Sequence, residues 1–139
     1  MGNEGGRDRI AALVVVSSKL SVSEISDIVG VQPDLCRELG SVRTDAPIAV
    51  PAGETSWELT ERHDRSAPLS DLVDRLALRI FPLADRFIRL RDRGCGIKLE
   101  LVQWISPGDP VGPGFSLDKD LIEFLSRVGA VVDVDQYSE

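Results

Sequence analysis

The closing stretch, Phe115 to Tyr137, constrains the chain most. Asp118 or Ser116 can cap a helix there, and Leu121, Ile122, Leu125 and Val128 recur at helical spacing as its inward face. Gly129 supplies a stop, because helices commonly end on a residue in the left-handed conformation that glycine adopts freely. Val132 and Val134 then alternate with Asp133, Asp135 and Tyr137, the period of a strand with one apolar and one polar face. An echo lies near the start. Ser21-Val-Ser-Glu24 is a capping-box pattern, Leu20 and Ile25 suit a hydrophobic staple around it, and Ile25, Ile28 and Val29 share a helical face ahead of Gly30.

Strands flank both helices. Ile10 to Ser17 is nearly all apolar and β-branched, which suits a strand buried on both faces at the centre of a sheet. Leu35 to Gly40 is a short-strand candidate. Ser56 to Thr60 places Trp57 and Leu59 on one face and Glu58 and Thr60 on the other, with Glu61 to Ala67 a polar connector. Ile97, Leu99 and Leu101 alternate with Lys98 and Glu100, and the second face turns apolar at Val102 and Trp104. Residues 41–55 and the proline-rich 106–114 read as loops. The latter's prolines leave few backbone donors, which makes it a poor phosphate cradle.

Between the two echoes lies the longest periodic segment. Leu69, Val73, Leu76, Ile80, Leu83, Phe87 and Leu90 form one stripe over Leu69 to Arg93, with a kink or a split expected at Pro82. Strand–helix–strand met twice is the ferredoxin-like pattern. The expected fold is α+β: repeated βαβ units in a mainly antiparallel sheet, helices on one face, one long inserted helix, and the other face open or covered by a partner. One domain over residues 1–139 is expected, with residues 1–8 disordered.

Composition narrows the function classes. The net charge of −7 argues against a general binder of nucleic acid or anionic membranes, whose phosphates are met mainly by Lys and Arg. The two cysteines, Cys36 and Cys95, are far apart, and the polar start Met1 to Arg9 lacks the apolar core of a signal peptide, so a reducing, cytoplasmic setting is expected. His63, alone of its kind, stands in a polar connector beside Glu61 and Asp64, and with the two cysteines it makes too sparse a set for zinc. No cofactor or metal is implied.

Two surfaces are candidates for recognition. Asp133, Asp135 and Tyr137 share a strand face and, with Glu100, Val102 and Trp104, can form an acidic patch with an apolar spot on the open sheet. The readings are a docking surface for a partner protein, a metal-dependent hydrolase, or a charged edge that only protects solubility. Arg75, Arg79, Arg86 and Arg93 lie near one helical stripe and can bind an anion or an acidic partner. Ordinary helix-end placement and pairs four apart, such as Asp71–Arg75 and Asp85–Arg89, are the more routine account of them. Cys95, between two glycines and near Arg93, is a candidate reactive thiol without an evident base.

The chain also resembles the uncharacterised bacterial domain-of-unknown-function family 4279. The likeness rests on Ile28-Val-Gly30-Val-Gln-Pro33, Gly40, Trp57, Gly114-Phe-Ser-Leu-Asp118, Leu125, Gly129-Ala130 and Asp133-Val-Asp135-Gln-Tyr137. It implies a bacterial, cytoplasmic, compact α+β domain and carries over no catalytic residue. The functional expectation is a non-catalytic interaction or regulatory module that binds a partner protein or self-associates, in the manner of immunity proteins. A small-ligand sensor and a hydrolase working from the acidic face are the alternatives.

Overall fold

The β-branched run near the start becomes the central strand, β1 (Arg9–Ser17), of a five-stranded sheet. A computed structural model of the chain describes residues 7–45, 48–109 and 114–138. Helix α1 (Val22–Val29) follows, then the short β2 (Leu35–Arg37) and β3 (Thr55–His63). Helices α2 (Leu69–Ile80) and α3 (Ala84–Asp92) come next, joined by a 3-10 turn at Phe81–Leu83. Strand β4 (Gly96–Ile105), helix α4 (Lys119–Val128) and strand β5 (Val131–Ser138) complete the chain. Among the described residues no helix is long and apolar enough to cross a membrane.

The strand order is β2-β3-β1-β4-β5. β1 pairs antiparallel with both β3 and β4, β2 pairs antiparallel with β3, and β5 alone runs parallel to its neighbour, β4. The fold is therefore mixed α+β with a mainly antiparallel sheet. The ferredoxin-like repeat is not what the pairing reproduces. β4, α4 and β5 make a parallel crossover unit, because the helix carries the chain back before β5 enters the sheet. After α1 the chain instead turns through β2, and β3 enters antiparallel beside β1. Similar capping sequences build similar helices in both places, but pairing direction depends on the length and course of the connection, which local patterning does not encode.

Odd-numbered β1 residues Ala11, Leu13 and Val15 meet Trp57, Leu59, Ile97, Leu99 and Leu101 across the ladders and face the helices. Leu72, Leu76, Ile80, Phe87 and Leu90 close over them, all essentially without solvent exposure. Each such aliphatic side chain contributes roughly 1.5–3 kcal/mol relative to exposure. Phe124 meets Phe81 at 5.4 Å and Phe87 at 6.3 Å between ring centroids, which draws α4 toward α3.

The split expected at Pro82 is present, since proline lacks the N–H needed to continue the ladder, and the apolar stripe runs over two helices in succession. Several expectations change in detail. β3 runs on through His63, so Glu61 to His63 belong to the strand rather than to a connector. On α4, Ile122 is 54% exposed, and Phe124 takes the buried place expected of it. Arg7 and Asp8, at the end of the stretch expected to be disordered, are placed, with Asp8 paired to Arg62 at 3.2 Å. Residues 1–6 lie outside the described residues, as do 46–47 and 110–113 within the two expected loops.

Candidate functional site

The helices all lie on one side of the sheet, so its even-numbered β1 face is the side that carries the acidic patch. Across it run three rows set by strand register. Glu58, Val14, Lys98 and Val131 form the first; Thr60, Ala12, Glu100 and Asp133 the second; Arg62, Ile10, Val102 and Asp135 the third. Trp104 and Tyr137 end the face as a stacked pair, ring centroids 4.8 Å apart, with the Arg7 guanidinium 5.6 Å from the indole centroid. All six residues expected to build this surface are thus brought together: Asp133, Asp135, Tyr137, Glu100, Val102 and Trp104.

Its electrostatics follow from a small apolar centre walled by carboxylates. Ala12 and Val14 are buried although no helix covers them, because they lie between the long side chains of the neighbouring strands. Lys98 Nζ lies 3.2 Å from Glu100 and 3.8 Å from Asp133. The hydrogen bond to Glu100 is the main reason its ammonium is held above the usual lysine value, with Asp133 and Asp135 adding attraction against some burial. Burial pushes the Glu58 carboxyl up, and Glu100 and Asp34 reinforce this against the Thr60 hydroxyl and Lys98. Glu58 and Lys98 were missed as site residues in the sequence, since nothing local shows that β1 lies between them. With Lys98 among the carboxylates, no group of three or more metal-ligating side chains converges among the described residues.

The arginine stripe does not survive as one site. The turn at Pro82 divides the stripe, with Arg75 and Arg79 on α2 and Arg86 and Arg93 on α3 and its C-terminal cap. Arg79 reaches Asp34 at 2.7 Å and Glu61 at 2.8 Å; burial works against its charge, and these two carboxylates outweigh that and hold it above the ordinary arginine value. Arg75 is exposed on α2. Arg86 and Arg93 do come together, with Arg89, Asp27, Ile28 and Asp92, around a groove of about 510 Å³ between α1 and α3. Arg86 also donates to the Ile28 carbonyl at 3.2 Å, at the end of α1. Asp85 pairs with Arg127 of α4 at 3.3 Å, which replaces the expected Asp85–Arg89 contact.

Nucleophile chemistry finds little support. His63 Nδ1 meets Asp64 at 3.1 Å, but the Ser66 hydroxyl donates to that same carboxylate rather than to the imidazole. The order is serine–aspartate–histidine, and a triad needs the base in the middle. Cys95 is buried, and burial pushes its thiol up against the smaller opposing effects of Ser17 and Arg93, away from the reactive thiolate.

The family model described as Domain of unknown function (DUF4279) matches residues 7–139. The chain belongs to this family. DUF4279 thus spans the whole sheet, both candidate surfaces and all four α-helices. Neither a curated protein nor a solved structure matches the chain.

Proposed function

We propose that this DUF4279 domain is a non-catalytic interaction module that binds a partner protein through the open sheet face. The supporting observation is the stacked Trp104–Tyr137 pair at the end of a sheet face without a helix, beside Asp133, Asp135 and Glu100. Rigid aromatics next to a charged rim are the composition that anchors protein interfaces. The surplus of carboxylates selects a basic partner and speeds its approach. An immunity-like or small regulatory role in the bacterial cytoplasm fits such a module, and the thiols of Cys36 and Cys95 suit a reducing compartment.

The test is in-cell photo-crosslinking from position 102, in the middle of the face. A covalent heterocomplex of defined mass is expected, and it should disappear when Trp104→Ala and Asp135→Lys are added. Monomer alone, with the photoreactive side chain shown to be active, rejects the reading. A small-ligand sensor is the second reading, favoured by the groove lined by Arg86, Arg89 and Arg93. It requires thermal stabilisation by a small anion that an Arg89→Ala, Arg93→Ala variant no longer shows.

A further inference from the structure

Strand β5 is an edge that carries two carboxylates but no Lys, Pro or bulge. It pairs with β4 on one side, in a register that runs unbroken from Lys98–Val131 to Ile105–Ser138. In the strand order nothing among the described residues follows it. An edge strand points half its N–H and C=O groups outward as a template for another strand, and proteins blunt that template with charged side chains, Pro or a bulge. In β5, Val-Val-Asp-Val-Asp-Gln-Tyr-Ser, the only such device is the pair Asp133 and Asp135, which repels another acidic strand and attracts a basic one.

Its two sides differ in chemistry. On the helix side, Val132 and Val134 share the face of Leu99 and Leu101, yet are 42% and 41% exposed. α4 does not cover them: Phe124 holds that helix against Phe81 and Phe87, on the α3 side. Val132 and Val134 therefore form an apolar seam that a further strand would close. On the open side, Asp133 and Asp135 present two carboxylates at strand spacing.

A second copy of this chain fits the seam poorly. Antiparallel pairing of β5 with itself, centred on Asp133, Val134 or Asp135, sets Asp133 against Asp133, Asp133 against Asp135, or Asp135 against Asp135. Like charges directly opposite destabilise a sheet. We propose instead that β5 takes up an extended segment of a basic partner protein as a sixth strand. Its apolar residues cover Val132 and Val134, and Lys or Arg at the alternate positions lie opposite Asp133 and Asp135. The main chain supplies affinity and the alternation supplies specificity. This deepens the interaction-module reading and rests on it, since the same strand contributes Asp133, Asp135 and Tyr137 to the open face.

The experiment titrates the full chain with an end-capped seven-residue peptide alternating valine and lysine, followed by calorimetry and by amide resonances. Controls are a valine–glutamate peptide and a valine–lysine peptide N-methylated at alternate residues. Saturable binding of the parent peptide is expected, with slowed amide exchange confined to β5 and no binding of either control. An Asp133→Lys, Asp135→Lys variant is expected to bind about tenfold more weakly, as two cross-strand attractions become repulsions. If the N-methylated peptide binds as well as the parent, the contact is with the sheet face; strand addition is then rejected while the interaction module stands. Equal binding of the glutamate peptide, absence of any binding, or a dimer formed through β5 overturns the proposal, and the crosslink from position 102 reports separately on the module.

Discussion

Glu58 shows what one side chain's position across a sheet does to its ionisation. Burial is the main influence raising its carboxyl, with Glu100 beyond β1 and Asp34 adding to it. A carboxyl whose folded pKa lies above its unfolded value contributes stability that is fully present below the unfolded pKa and is lost as pH rises through the folded one. Glu58→Gln is therefore expected to raise Tm at neutral pH and to leave it unchanged below the ordinary glutamate value of 4.5. Thermal unfolding across that range checks it; an equal gain at both ends would mean the charge is not the cause. The sequence placed Glu58 on the correct face of its strand, because alternation alone decides that. It could not reveal the pressure on the charge, which is mainly burial in the assembled sheet, reinforced by Glu100, 42 positions later and across an intervening strand.

At the scale of elements, α3 acts as a brace between the two glycine-stopped helices. Gly30 and Gly129 end α1 and α4 with φ of 88° and 69°. Arg86 donates to Ile28 O at 3.2 Å and Arg91 to Arg127 O at 2.8 Å, so each helix C-terminus receives a guanidinium from α3. Cations there offset the negative end of the helix dipole, by about 0.3–1 kcal/mol at exposed sites. Both glycines and both capping residues, Ser21 and Asp118, were legible, since helix punctuation is written in neighbouring residues. Arg86 was read as part of a ligand stripe and Arg91 was not singled out, because their partners lie 58 and 36 positions away. A Cβ at Gly129 would sit 2.6 Å from Arg91 Cδ, in a backbone conformation that alanine resists. Gly129→Ala is expected to cost about 1–2 kcal/mol from the left-handed conformation alone. Arg91→Ala should cost less in that background than in the wild type, because the added methyl has already displaced the guanidinium. Urea unfolding of the four proteins measures the coupling, and strict additivity would refute the brace.

Across the whole molecule, one buried charge at the head of the central strand ties the connections together. Arg9 is completely buried. It donates to Ala67 O at 3.1 Å, in the turn leading into α2, and lies 3.5 Å from Asp109, on the way to α4. Asp109 in turn accepts from Ser106 N, and the Ser106 hydroxyl accepts from Arg65 at 2.8 Å. An arginine close behind a polar leader looks solvated in sequence; only the two returning loops make it an interior residue. Removing one member of a buried ion pair strands the other, which costs about 3–5 kcal/mol, whereas replacing both can be close to neutral. Arg9→Met is therefore expected to lose about 3 kcal/mol, and Arg9→Met with Asp109→Ala to recover part of that loss. Because Ser106 follows two residues after Trp104, the single variant should also loosen the aromatic end of the open face. Amide exchange is then expected to quicken at 64–67, 104–109 and 137 while the middle of β1 stays protected. A double variant no more stable than Arg9→Met, with exchange quickened uniformly over the sheet, would show that Arg9 serves the core as bulk and not as the tie between its connections.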